Sequence, residues 1–168
     1  MGAGIDFLNI YSEICLGTVA FMAIVATLRQ TFGEELTSYQ YLITRFFIDV
    51  GLVLVFVSMA GLGFFAIYQD AAMAWVLMAW MHVIFYAFYV PYYLNKRRKT
   101  EVERTSIAVA VIVSTGMSFV NLVLAVFGLS PMLLPAAVVL HLVVALGALV
   151  GTFLIFVGSF MKFDEGKP

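Results

Sequence analysis

The segment from Trp75 to Lys99 constrains the fold more than any other part of the chain. From Trp75 to Leu94 it is almost wholly apolar, and a block of cations follows one residue later: Lys96, Arg97, Arg98 and Lys99. About 20 apolar residues are enough for a helix to cross the hydrocarbon core of a bilayer. Cations beside a span mark its cytoplasmic end and attract anionic headgroups. The segment therefore predicts a transmembrane helix that ends at the cytoplasm and binds anionic lipid there.

The composition extends this conclusion to the whole chain. Of the 168 residues, 64% are hydrophobic and 11% are charged, whereas about 25% of the residues of an average soluble domain are charged. A soluble fold of this size would lack the polar residues that its surface needs. The net charge of -1 also argues against a nucleic-acid partner, because such proteins carry basic patches. We expect an integral membrane protein whose main partner is the lipid bilayer.

Five apolar runs separated by short polar segments predict an all-α bundle of five transmembrane helices. The expected spans are about 7–28, 41–68, 71–94, 106–127 and 132–160. Because no repeat or linker divides the chain, residues 1–168 are expected to form a single membrane domain. Thr37 and Gln40 have the spacing of a capping box and predict the start of the second helix. Pro91 predicts a kink or an end in the third helix.

The positions of the cations predict the orientation of this bundle. If the block that begins at Lys96 is cytoplasmic, all nine lysines and arginines lie on or near the cytoplasmic side of five spans. The positive-inside rule then places the N-terminus outside and the C-terminus in the cytoplasm. We expect a multi-pass protein of the plasma membrane with this topology.

Polar side chains inside the spans are the strongest functional signal in the sequence. A charged residue at the bilayer centre costs about 2.5–3.5 kcal/mol even on the mild scale, and such residues mark ion paths and binding sites. A rise of about 1.5 Å per residue places polar residues from four helices in one layer in the outer half of the bundle. These residues are Glu13, His82, Ser118, Asn121 and His141.

Small and polar residues at helical spacing predict which face of each helix points inward. On the first helix this stripe contains Asn9, Glu13 and Gly17, and on the third helix it contains His82 and Tyr86. Both stripes are therefore expected to face the interior of the bundle. The prediction brings the carboxyl group of Glu13 to the histidine on the third helix.

Three functions are compatible with this polar layer. In the first, Glu13, His82 and His141 converge on one cavity and handle protons or a small cation in a small transporter or channel subunit. There Asn121, and also Ser118 and Tyr86, would supply hydrogen bonds. In the second, the two histidines bind haem b as axial ligands, or they bind a divalent metal together with Glu13, in a redox subunit. In the third, the chain is a non-catalytic accessory or assembly subunit, and both histidines are hydrogen-bonded within the bundle.

An enzyme is the less favoured class. The sequence has no HExxH metal motif, no CxxC pair, no phosphate-binding loop and no glycine-rich nucleotide turn, each of which would place ligands or backbone N–H groups for a specific chemistry. No catalytic residue is assigned.

Arg45 and Asp49 lie one helical turn apart near the cytoplasmic end of the second helix. This spacing predicts an ion pair within the helix, with the arginine reaching toward the membrane interface. The alternative is an inner gate in which the pair faces Glu34 or Glu35 of the preceding turn.

Gly147 and Gly151 form a GxxxG motif in the fifth helix. Glycines at this spacing let two helices approach closely. The motif predicts either close packing within the chain or an interface with a second copy or another membrane subunit.

Overall fold

The computed structural model describes residues 2–31, 36–68, 70–98, 106–130 and 132–161, and these form five helices. The helices are α1 (Gly2–Thr31), α2 (Ser38–Ile67), α3 (Ala71–Arg98), α4 (Ser106–Val126) and α5 (Leu134–Met161). Each of the five is long and apolar enough to cross a membrane. The chain is therefore an all-helical, multi-pass membrane protein, as the sequence predicts.

Two helices extend four or more residues beyond a predicted bound. α1 begins at Gly2 rather than near residue 7, and α3 continues through Pro91 to Arg98 instead of ending near Leu94. The proline removes its own N–H from the helix ladder and crowds the carbonyl four residues earlier, but it does not end α3. The residues after it favour a helix, since lysine and arginine are good helix formers and their charges stabilise a helix C-terminus. Lys99, the last cation of the block, lies outside the described residues.

Local signals fix the ends of two helices. The Thr37 hydroxyl accepts a hydrogen bond from the Gln40 N–H (3.2 Å), and the Gln40 side chain accepts one from the Thr37 N–H (3.1 Å). This capping box opens α2 as predicted. At the end of α4, Gly128 has a φ of +69°, and the Leu129 N–H donates to the Leu124 carbonyl at 2.8 Å. Glycine at a left-handed position closes the helix in this way because it has no Cβ.

The helices α2, α3 and α5 contact one another and form the centre of the bundle. α1 packs mainly against α2, and α4 packs mainly against α5, so these two helices lie at the edges. Close packing depends on two glycines of α2. A Cβ at Gly51 would collide with Val19 of α1, and a Cβ at Gly61 would collide with Met78 of α3. Gly61 thus lets α3 approach α2 one turn before the first histidine.

Candidate functional site

A pair of histidines lies in the interior of the bundle. His82 of α3 and His141 of α5 both have no exposed surface. Their rings are in edge-to-face contact, with centroids 5.4 Å apart and an interplanar angle of 89°. His82 and Tyr86 belong to the buried face of α3, as the spacing predicts. The term histidine pair below means His82 and His141.

The hydrogen bonds of His82 determine which of its nitrogens carries a proton. Its Nδ1 lies 2.9 Å from the Met78 carbonyl oxygen. A carbonyl can only accept a hydrogen bond, so Nδ1 bears the proton and donates. The neutral ring then has a lone pair at Nε2. That atom is buried and has no hydrogen-bond partner in the described part of the chain.

His141 is held in the same tautomer by a serine of α4. Its Nδ1 lies 3.1 Å from the Ser118 hydroxyl oxygen, and that hydroxyl donates its own proton to the Thr115 carbonyl at 3.0 Å. A hydroxyl has only one proton to donate. With that proton on the Thr115 carbonyl, the hydroxyl accepts from His141, whose Nδ1 is then protonated and whose Nε2 carries the lone pair. Within the described residues this Nε2 is also buried without a partner.

Two buried nitrogens without a hydrogen-bond partner lie in neighbouring rings in the interior of the bundle. A buried polar atom without a partner costs free energy, and the histidine pair contains two such atoms in neighbouring rings. Each ring is anchored through its other nitrogen, and this hydrogen bond fixes the orientation of the ring, as it does for histidines that bind metals. The arrangement suits an electrophile that binds nitrogen, such as a proton or a nitrogen-preferring metal ion.

The surroundings of the pair leave little room for a haem. The ring centroids of Tyr86 and Phe119 lie 5.2 and 6.1 Å from the ring centroid of His141. A haem with two axial histidines needs a slot that extends in all directions from the line between the two imidazoles. Aromatic side chains occupy part of that space, and the two histidine rings touch directly. The residues present therefore do not fit a haem.

The predicted metal set of His82, His141 and Glu13 does not form. Among the described residues, no three histidine, cysteine or acidic side chains come together in a way that could hold a metal ion. Glu13 lies on the exposed surface of α1. The histidine pair alone supplies two nitrogens, which is fewer than the three or four protein ligands typical of zinc sites.

The position of Glu13 corrects the predicted orientation of α1. The buried face of α1 is instead formed by larger residues at helical spacing: Leu8, Tyr11, Cys15, Val19 and Met22. Glu13 is two positions from Tyr11, which is about 200° around the helix, so it points away from the bundle. Asn9 and Gly17, the other predicted inward residues, are exposed as well. The face of α1 with large side chains, which fill the contact with α2, is therefore the buried face, and the polar stripe is not.

Tyr11 is a member of this region that the sequence did not reveal. Its hydroxyl donates a hydrogen bond to the carbonyl of Leu142 at 2.8 Å. Leu142 follows His141 directly, so α1 is tied to α5 beside the histidine pair. The sequence signal for Tyr11 was the apolar repeat around it, at spacings of three and four residues. The prediction missed it because it assigned the inward face from small and polar residues.

Asn121 has a different role from the predicted one. Its side-chain oxygen accepts a hydrogen bond from the Ser130 hydroxyl at 2.8 Å, and its amide nitrogen donates to the sulfur of Met132 at 3.3 Å. These contacts hold the connection between α4 and α5. Ser118, one turn earlier in α4, takes the predicted place beside His141.

Arg45 and Asp49 form the expected ion pair within α2. The arginine Nε lies 3.5 Å from the aspartate Oδ2. The Tyr89 hydroxyl donates to the same oxygen at 3.4 Å, so α3 also takes part. Glu34 and Glu35 lie outside the described residues, and the gate hypothesis stays a prediction.

Gly147 lies on an open face of α5. It is exposed, and a Cβ added there would meet nothing within 4 Å. Gly151 is partly buried. Close packing within the chain therefore does not account for Gly147.

The structure brings together His82, His141, Ser118 and Tyr86, and it places Glu13 and Asn121 elsewhere. No protein-family model, no curated protein and no solved structure matches the chain. Function is therefore inferred from the geometry of the histidine pair.

Proposed function

We propose that the protein handles protons at the histidine pair, as a small transporter or channel subunit. One observation carries the proposal: two neighbouring buried imidazoles are both anchored through Nδ1, and both present an unpartnered Nε2. A proton taken up at either Nε2 gives that atom an N–H beside the other imidazole, since the two ring centroids lie 5.4 Å apart. Ionisable side chains inside membrane bundles mark proton relays, and each ring of the pair offers one buried nitrogen that can take up a proton.

A proton fits this donor set better than another small cation. Sodium, calcium and magnesium prefer oxygen ligands, and the unpartnered groups of the pair are nitrogens. Zinc usually takes three or four protein ligands, and the described residues offer no such group. A proton needs only one donor nitrogen and one acceptor.

Proton movement through purified protein in liposomes tests the proposal. We expect wild-type liposomes that enclose a pH-sensitive dye to acidify when a membrane potential drives protons inward. His82→Gln and His141→Gln keep a polar side chain but cannot take up a proton, and each should slow the acidification at least about 100-fold, the lower end of the usual contribution of a proton-transfer group. Ser58→Ala is the matched control. Its hydroxyl is also buried, but it donates only to the Leu54 carbonyl of its own helix.

Two results of this experiment would count against proton handling. One is a wild-type rate equal to that of empty liposomes. The other is equal loss in Ser58→Ala and in the histidine variants, which would indicate general damage to the bundle rather than loss of a relay.

We also propose that the protein lies in the plasma membrane with its N-terminus outside, its C-terminus in the cytoplasm and its basic end against anionic headgroups. The support is that the start of α2, near Arg45, and the end of α3, with Lys96, Arg97 and Arg98, belong to the same side of antiparallel neighbours. The positive-inside rule makes that side cytoplasmic. A reporter at the C-terminus should read cytoplasmic, and one inserted between α2 and α3 should read external. A cytoplasmic signal between α2 and α3 would reverse the topology.

A further inference from the structure

α1 carries a polar stripe on its outward face. The residues of this stripe follow one another at spacings of three or four, and all of them are exposed: Asp6, Asn9, Glu13, Gly17 and Ala20. Most other exposed residues of α1 between Asp6 and Leu28 are large and apolar, among them Ile10, Ile14, Leu16 and Phe21. An outward face of a transmembrane helix normally contains such apolar residues because lipid covers it. The stripe is thus a distinct strip within a surface that otherwise suits lipid. It is called the α1 stripe below.

The α1 stripe leaves a carboxyl group without a partner inside a span. Glu13 lies about 16 Å along α1 from its first residue, well within the candidate span Gly2–Leu28. In the described part of the chain, no hydrogen bond or ion pair reaches its side chain. Ionisable residues in spans almost always face protein or a water-filled cavity. A further surface is needed to cover Glu13.

We propose that the α1 stripe is an interface with a second copy of this chain. Two copies in one membrane share an orientation, so a twofold axis along the membrane normal places their α1 helices side by side and parallel. Residues of similar depth then meet across the axis. Because α1 lies at the edge of the bundle, its outward face is free to pair in this way.

The α1 stripe contains both the donor and the acceptor for a hydrogen bond between the two copies. Asn9 offers a carboxamide N–H donor, and Glu13, one turn later, offers an acceptor. Side chains of a helix lean toward its N-terminus, so the longer glutamate side chain of one copy reaches back toward the level of Asn9 in the other. A twofold axis makes this contact twice. No cation from a different protein is required, which favours a second copy over an unrelated partner.

Small residues allow the two helices to approach. Gly17 and Ala20 follow Glu13 on the same stripe, and small residues let transmembrane backbones come close enough for van der Waals packing. A Cβ at Gly17 would meet nothing within 4 Å in the single chain. Packing within one chain therefore does not require the glycine, but a partner helix against this face would.

A bulky substitution at Gly17 tests the proposal without disturbing the single chain. The protein is reconstituted in liposomes at increasing dilution, and its copies are counted by single-molecule photobleaching. We expect wild type to form dimers, and Gly17→Leu to weaken their association at least ten-fold. Gly116→Leu is the matched control, because a Cβ at exposed Gly116 of α4 also meets nothing within 4 Å. It should leave dimers unchanged.

Cross-linking gives a second measurement that does not depend on bulk. Ala20→Cys and Phe21→Cys differ by one position, and both side chains are exposed, but only Ala20 lies on the stripe. The native Cys15 is fully buried, so wild type serves as the uncross-linked background. We expect a disulfide-linked dimer for Ala20→Cys and at least ten-fold less for Phe21→Cys.

The proposal is overturned if wild type stays monomeric at every density, or if Gly17→Leu and Gly116→Leu dimerise alike. Equal cross-linking at both cysteine positions would overturn it too, since it would show random encounters. Capture of a different membrane protein at the stripe by a monomeric chain would assign the face to that partner instead. None of these outcomes involves the histidine pair, so the proposed proton handling is tested independently by the liposome experiment.

Discussion

α1 and α3 carry polar stripes of the same kind, yet these stripes face in opposite directions. On α3 the stripe with His82 and Tyr86 is buried at the centre of the bundle. On α1 the stripe with Asn9, Glu13 and Gly17 is exposed. Both repeat at spacings of three and four residues, so periodicity alone cannot distinguish them. What differs is the opposite side of each helix.

The difference shows what decides the orientation of a transmembrane helix in this bundle. The inward face of α1 is filled by larger residues, and Val19 fits against Gly51 of α2 where a Cβ would collide. Tyr11 on the same face donates a hydrogen bond to α5. Packing density and one buried hydrogen bond set the direction. A polar stripe can then face outward if another surface covers it.

The largest expected difference between the two stripes is in stability. His141→Ala removes a ring that packs against His82, Tyr86 and Phe119, and it should lower the free energy of unfolding by about 2–4 kcal/mol, as other large-to-small core changes do. Glu13→Ala on the exposed stripe should change it by less than about 0.5 kcal/mol. Both free energies are measured by reversible unfolding of dilute monomers in mixed micelles, with tryptophan fluorescence as the readout. A loss for Glu13→Ala as large as that for His141→Ala would place Glu13 in the core.

Energetic coupling should be the next largest difference. His82 and His141 are in ring contact, so the double variant His82→Gln, His141→Gln should deviate from the sum of the singles by about 0.5–3 kcal/mol. Glu13→Gln combined with His141→Gln should be additive within about 0.5 kcal/mol, because Glu13 lies on the outward face of α1. The same unfolding measurement gives both cycles. Additivity in the first cycle would show that the histidines act independently, and coupling in the second would restore the three-residue site that the sequence predicts.

The sequence was sufficient for the helices and for part of the site. Hydropathy located all five spans, because a bilayer allows few other ways to satisfy the backbone. The shared depth of His82 and His141 was predictable from a rise per residue. Glu13 was misplaced because rotation about a helix axis depends on the neighbouring helix, which no single stripe reveals. Asn121 was misplaced because its partner, Ser130, belongs to a connection whose course depends on Gly128.

The smallest expected effect separates two polar residues of α4. Ser118→Ala removes the acceptor for the His141 Nδ1–H, and Asn121→Ala removes the acceptor for Ser130. Each should cost about 1 kcal/mol of unfolding free energy, the usual net value of one hydrogen bond, so stability will not distinguish them. The nitrogen chemical shifts of the His141 ring will, because only Ser118 holds its tautomer. We expect a mixture of tautomers in Ser118→Ala and wild-type shifts in Asn121→Ala. Unchanged shifts in Ser118→Ala would mean that another contact holds the Nδ1 proton, and the unpartnered Nε2 on which the proton-handling proposal rests would then have to be reassigned.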